Sequence, residues 1–285
     1  MLLYQGYTAK QLNVEYSPSS CIEDINVFIK QYINQSTTAQ AKANSTQTLK
    51  SNLAYGAEST QVIDLFLPTT TAQKKLHIYI HGGYWQELSK DESSFAATTF
   101  QQHGVHFAVI NYTLAPNASL SEIVEECRQA VKWLATNSHL FGYDEQEIYL
   151  SGSSAGAHLA AMVALDNTIA IKGICAVSGV YDLTPIQHTY INEPLQLSAA
   201  EVASNSPLFM LEQWPEECAC IVAYGDNETN EFKRQSQAFY HQLKQLGQTA
   251  SLKEIKARNH FDVILDLAND HSILFKLVQK QMQLS

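Results

Sequence analysis

From Gln61 to the end of the chain, short apolar runs alternate with longer stretches in which apolar residues recur every three or four positions. That alternation is the pattern of buried strands joined by crossover helices, and it predicts a doubly wound α/β architecture with a mainly parallel central sheet and flanking helices. Strands are expected at 62–67, 76–80, 105–110, 147–151, 173–178, 219–224 and 250–255. Several of these runs are rich in Val and Ile, as strands covered on both faces should be. Helices are expected at 22–33, at 121–135 behind a Ser start signal, at 231–246 with a stop at Gly247, and at 262–282. The stretch 35–50, QSTTAQAKANSTQTLK, is polar and weakly periodic, so it reads as a loop or a solvated helix leading to the sheet. Residues 181–214 break the alternation with Pro185, Pro194 and Pro207. They fall between two strands and are expected to form a cap-like insertion over the site, within a single domain spanning 1–285.

Composition narrows the partners. A formal net charge of -10 with no Lys/Arg cluster excludes a nucleic-acid partner, because a phosphate backbone demands a basic surface. Met1 to Lys10 has neither a basic leader nor an apolar run of signal-peptide length, and no later stretch is apolar for long enough to cross a bilayer. The expectation is a soluble, cytoplasmic protein that acts on a small molecule. Five cysteines at irregular spacing fit reduced packing thiols better than a disulfide framework. The ten histidines show no spacing typical of metal ligands, so no metal site is expected.

The sharpest local signal is Gly152-Ser153-Ser154-Ala155-Gly156, placed directly after the apolar run EIYLS and directly before AHLAAMVAL. A serine presented on a tight strand-to-helix turn needs small neighbours on both sides, and the spacing selects Ser154 over Ser153. A chance Gly/Ser turn matches five letters often; the strand before it and the helix after it make this one specific. A second signal, His81-Gly82-Gly83-Tyr84-Trp85, follows the run LHIYI. Acyl transfer places negative charge on a carbonyl oxygen, and main-chain amides of Gly82, Gly83 and Ala155 would meet it as an oxyanion hole. His81 reads as a brace for this loop, and His158, one turn into the helix after Ser154, as a packed helix residue. With serine first in chain order, the base should follow the last strand, and His260 in Ala257-Arg258-Asn259-His260-Phe261-Asp262 does so. His241 and His271 lie inside helical patterns. The acid should stand after the run ACIVAY, where Asp226, Glu228 and Glu231 are available, Glu231 reading better as a first-turn charge favoured by the helix dipole.

On these motifs the chain resembles the kynurenine formamidase (arylformamidase) family of α/β-hydrolases. His81 to Trp85 matches that family's HGGYW loop in all five letters, and Gly152 to His158 resembles its GxSAGAH elbow. The likeness continues through Val180-Tyr181-Asp182-Leu183, Ser206-Pro207, Glu231-Phe232, Arg234-Gln235-Ser236 and His260-Phe261, and is weakest over the first fifty residues. It implies an α/β-hydrolase fold and hydrolysis of N-formyl-kynurenine, or a similar N-formyl aryl amine, through a formyl-enzyme on Ser154, with no cofactor. In that family the acid stands six residues before the Arg-Gln pair, and in related hydrolases three after the loop glycine. Both offsets fall on Glu228, where the family often carries Asp, so Asp226 stays as the second candidate. Tyr84 and Trp85 would stack on the substrate ring, and the cap near Tyr190 and Asn192 would touch it. A homodimer is the one assembly kept open. The alternative enzyme is a broad-specificity carboxylesterase acting on short-chain esters, since one methyl in an acyl pocket is worth only about 1–3 kcal/mol. A catalytically silent fold used for binding would leave Ser154 unreactive toward a fluorophosphonate.

Overall fold

The computed structural model describes residues 2–284. Eight strands among the described residues, β1 (Leu49–Ala54), β2 (Val62–Phe66), β3 (Leu76–Ile80), β4 (His106–Ile110), β5 (Ile148–Ser153), β6 (Ile171–Val177), β7 (Ala219–Asn227) and β8 (Ala250–Asn259), form one sheet. Their order is β1-β2-β4-β3-β5-β6-β7-β8. The β1–β2 and β2–β4 pairings are antiparallel, and all pairings from β4 onward are parallel. Side chains alternate between two cores with the period of two that a pleated strand dictates. On β3, Leu76, Ile78 and Ile80 join the core beneath helices Leu120–Thr136, Ala155–Ala164 and Asn230–Gln245, whereas Tyr79 joins the opposite core with Phe95, Phe100 and Phe275.

All seven predicted strands are present, the last two running several residues further than their apolar runs. β1 was not expected, because it is exposed along most of its length and carries no apolar alternation. The polar stretch 35–50 is mostly helix: Asn26–Ser45 is continuous, and its buried face is Tyr32, Ser36, Ala39 and Ala43. Small residues let this helix lie close to its neighbour Ala97–Gln102, so it is anchored without the large apolar side chains that a periodicity search detects. The expected C-terminal helix is broken into a 3-10 turn, Val263–Ala268, and helix Ile273–Gln281. Ser272 makes the break by capping the second piece, its hydroxyl accepting the Phe275 amide at 3.0 Å and donating to the Asp266 carbonyl at 2.6 Å.

Register aligns what the site needs. Ile80 lies beside Gly152, Ser153 beside Val177, Val177 beside Ala223, and Asn227 beside Asn259. The residues that follow β3, β5, β6, β7 and β8 therefore emerge at one edge, the carboxyl ends of the parallel strands, where ligands bind in open α/β sheets.

Candidate active site

Ser154 stands between β5 and helix Ala155–Ala164 with φ 57° and ψ -121°. This conformation costs a non-glycine residue about 1–3 kcal/mol and persists only where the surroundings fix it. Here the Ser154 amide donates to the Val177 carbonyl at 2.9 Å, and its carbonyl accepts the amides of Ala157 and His158 at 3.1 and 3.2 Å. The turn also needs a residue without a side chain at position 156, since a Cβ on Gly156 would lie 2.0 Å from the Ile80 carbonyl oxygen. β3 and the helix Ala155–Ala164 thus touch main chain to main chain. Across this contact, a Cβ on Gly82 would lie 2.6 Å from the Ser153 carbonyl oxygen and 3.3 Å from the Cβ of Ser154, so the first glycine of the loop rests directly on the serine turn.

The loop then winds left-handed. Gly83, Tyr84 and Trp85 take φ of 94°, 50° and 62°, and the Gly83 carbonyl accepts the amides of Gln86 and Glu87, both at 2.9 Å. That winding leaves the amides of Gly82 and Gly83 without a hydrogen-bond partner among the described residues, and the amide of Ala155, at the positive end of its helix, is equally free. His81 braces the loop as expected. Its Nδ1 bonds the Gly82 carbonyl at 2.9 Å, its ring stacks on Tyr112 at 4.1 Å, and burial pushes its pKa down to about 4, which keeps it neutral.

His260 and Ser154 line the same cavity, a space of about 170 Å³. His260 is held from behind: its Nδ1 lies 2.9 Å from Oε2 of Glu228, whose other oxygen accepts the Ser178 hydroxyl and the Gly225 amide, both at 2.6 Å. The carboxylate is buried, one oxygen is held by two donors and the other faces the imidazole, so it fixes the ring with Nδ1 protonated and Nε2 turned elsewhere. Asp226, the second candidate, points away, its carboxylate accepting the Arg258 amide at 3.3 Å and lying 3.9 Å from Lys256. Glu231 binds Arg234 through both carboxylate oxygens and accepts the Tyr16 hydroxyl at 2.9 Å.

The expected aromatic pair divides. Tyr84 lines the cavity, its hydroxyl donating to the Tyr16 carbonyl at 2.6 Å. Trp85 does not line it: the side chain is fully buried, and its indole N–H donates to Nδ1 of His158 at 3.3 Å. His158 passes the contact on, its Nε2 meeting the Asn205 carbonyl at 2.6 Å, and burial pushes its pKa down to about 4. Trp85 and His158 together lock the loop and the helix Ala155–Ala164 to the segment 181–214, so the expectation of substrate stacking by Trp85 gives way to a core role. Of the two insertion residues expected near substrate, Tyr190 reaches the cavity, whereas Asn192 closes its own turn by accepting the Leu197 amide at 2.8 Å.

Two contributions went unanticipated. Ser178, buried with φ 51° just past the end of β6, supplies a hydroxyl donor to Glu228 and carries no sequence signature beyond ending a strand. Much of the cavity roof comes from the N-terminal segment, through Pro18, Ser19, Ile25, Ile29 and Tyr32. The spacing of Ile25, Ile29 and Tyr32 on one helical face was the available signal. Tyr32 donates to the Phe261 carbonyl, and Phe28 stacks on the Phe261 ring at 6.0 Å.

A strained serine under free amides, sharing a cavity with a carboxylate-held imidazole, suits attack on a carbonyl carbon and little else. The class is therefore the serine hydrolases of α/β-hydrolase fold. The family model BD-FAE matches residues 63–243. Kynurenine formamidase of Danio rerio is 34% identical over 293 residues, covering 98% of both chains, and that of Salmo salar is 34% identical over 296 residues, covering 99% of both. Among solved structures, a protein of Silicibacter sp. TM1040 described as a candidate thioesterase superposes with a TM-score of 0.84 at 27% identity, covering 94% of this chain and 99% of its own. Esterase B from Lactobacillus rhamnosis shares the fold, with a TM-score of 0.70 at 17% identity over 90% of this chain and 93% of its own. The chain belongs to the kynurenine formamidase family. Among the described residues no helix is long and apolar enough to cross a membrane.

Proposed function

We propose that the protein hydrolyses the formamide bond of N-formyl-kynurenine or a similar N-formyl aryl amine, with Ser154 as nucleophile, His260 as general base and acid, and Glu228 as the acid that orients His260. In this scheme Nε2 of His260 takes the Ser154 hydroxyl proton as the oxygen attacks the formyl carbon. The amides of Gly82, Gly83 and Ala155 receive the negative charge that develops on the formyl oxygen. The imidazolium then returns its proton to the aryl nitrogen as the C–N bond breaks, releasing the amine and leaving a formyl ester on Ser154. Water, deprotonated by His260, attacks that ester and formate departs, which restores the serine hydroxyl. An aryl amine leaves more readily than an alkyl amine because its nitrogen lone pair is shared with the ring. Every group in the scheme belongs to this chain, and no cofactor is called upon.

The observation that carries this reading is His260, held by Glu228 at 2.9 Å and lining the same cavity as Ser154, in a chain 34% identical to fish kynurenine formamidases along nearly its whole length. The test compares kcat/KM for N-formyl-kynurenine with that for short phenyl esters, in the wild type and in Ser154→Ala. The expected result is a preference for the formamide and loss of both activities in the variant. Ester preference by orders of magnitude would make the protein a carboxylesterase instead.

A further inference from the structure

The cavity wall carries a charge that the hydrolytic scheme leaves unused. Glu87 lies one turn beyond the amides of the oxyanion loop, its own amide closing on the Gly83 carbonyl at 2.9 Å. Glu87 lines the cavity as an exposed residue, and its carboxylate makes no hydrogen bond or ion pair with a described residue. No lysine or arginine stands among the lining residues, and Glu87 is the only carboxylate there. The nearest cation along the chain, Lys90, is already committed, its Nζ lying 3.0 Å from Asp64 and 2.8 Å from Asp91. Much of the remaining wall is apolar, with Ile25, Ile29, Phe95 and Phe261.

An uncompensated negative charge beside low-dielectric walls attracts a cationic group and repels an anionic one. A carboxylate brought into the cavity would lose water without gaining a cation, whereas an ammonium would gain Glu87. We propose that Glu87 sets the charge preference of the site, so that it accepts N-formyl aryl amines whose side chain carries an ammonium and discriminates against those that end in a carboxylate alone. This rests on the formamide hydrolase reading. For an amino-acid side chain such as that of N-formyl-kynurenine, Glu87 takes the ammonium and leaves the carboxylate toward solvent.

The experiment uses three N-formyl anilides of equal side-chain length, ending in an ammonium, a neutral hydroxyl or a carboxylate. Values of kcat/KM are measured for the wild type, Glu87→Gln and Glu87→Lys. In the wild type the order is ammonium, then neutral, then carboxylate. The ammonium-to-neutral ratio falls about three-fold in Glu87→Gln, the size of effect a partly solvated ion pair provides, and in Glu87→Lys the order of the charged substrates inverts. Salt near 1 M, where the screening length is about 3 Å, compresses all three ratios toward one. The same order in all three proteins, or ratios indifferent to salt, overturns the proposal. If anilides resist cleavage while phenyl esters bearing the same three ends are cleaved, the formamidase reading fails, and the same ordering on the esters decides the role of Glu87.

Discussion

Replacing Glu228 by Gln keeps the shape of the side chain and removes its charge, and the surrounding hydrogen bonds decide which way the new amide points. One carboxylate oxygen of Glu228 accepts two donors at 2.6 Å, the Gly225 amide and the Ser178 hydroxyl, and the other faces Nδ1 of His260 at 2.9 Å. The Gly225 amide cannot reverse its role, so the glutamine oxygen stays on that side; flipping would strand a buried donor at about 1–3 kcal/mol. The amide NH2 is thereby aimed at His260, where it can only donate. His260 must present a lone pair at Nδ1 and carry its proton on Nε2, the tautomer that cannot accept a proton from Ser154. Loss of the working tautomer in a triad of this kind lowers kcat by roughly 10⁴, equivalent to about 5.5 kcal/mol of barrier. The assay follows release of the aryl amine by absorbance under saturating and limiting substrate, together with the rate of fluorophosphonate labelling of Ser154. KM should stay within about three-fold, because Glu228 itself does not line the cavity. A loss of kcat below ten-fold, or a larger loss in Asp226→Asn than in Glu228→Gln, would refute the assignment.

Ser178→Ala removes one of the two donors on Oε1 of Glu228 and should lower kcat about ten-fold with KM unchanged, as a hydrogen bond to a charged group, worth about 1.5 kcal/mol, implies; an unchanged kcat would mean that the Gly225 amide alone suffices. Trp85→Phe strips His158 of its indole donor inside the core and should lower the unfolding free energy by about 1–3 kcal/mol in urea titrations, whereas a ten-fold rise in KM at full stability would return Trp85 to the substrate. Gly156→Ala drives a methyl into the Ile80 carbonyl and should cost about 3 kcal/mol of stability along with most of the activity, measured by thermal unfolding and turnover of the same preparation. Burial holds His77, His81 and His158 at pKa values of about 3, 4 and 4, well below the unfolded value near 6.5, so the unfolded chain binds protons first as pH falls. Stability from these three is complete above about pH 6.5 and is lost toward pH 4, with a slope of up to about 4 kcal/mol per pH unit; equal urea midpoints at pH 7 and 5 would contradict it.

What could be read from sequence follows from where the information is local. The serine turn, the glycine loop and His260 sit at strand ends, where short motifs and an apolar run fix both the backbone and its direction. Choosing Glu228 over Asp226 needed the family likeness, because the two stand two positions apart at the carboxyl end of β7 and what separates them is side-chain direction, which no local letter pattern reveals. Ser178 and the far half of the roof helix were out of reach for a different reason. Ser178 acts through a partner 50 positions away in sequence, and the roof helix buries small and polar side chains such as Ser36, Ala39 and Ala43 that resemble a solvated face in any window. Trp85 shows the converse: the letter pattern that marks the loop also contains the residue that anchors it from within the core.

Tyr32 ties the roof helix to the carbonyl of Phe261, the residue immediately after His260. Roof and imidazole are consequently coupled through a single peptide unit. A displacement of this helix large enough to widen the entrance would pull on the chain that positions His260, so admission of a bulky ligand and alignment of that imidazole compete for the same geometry. A small, flat molecule that entered without lifting the helix would leave the imidazole where Glu228 holds it.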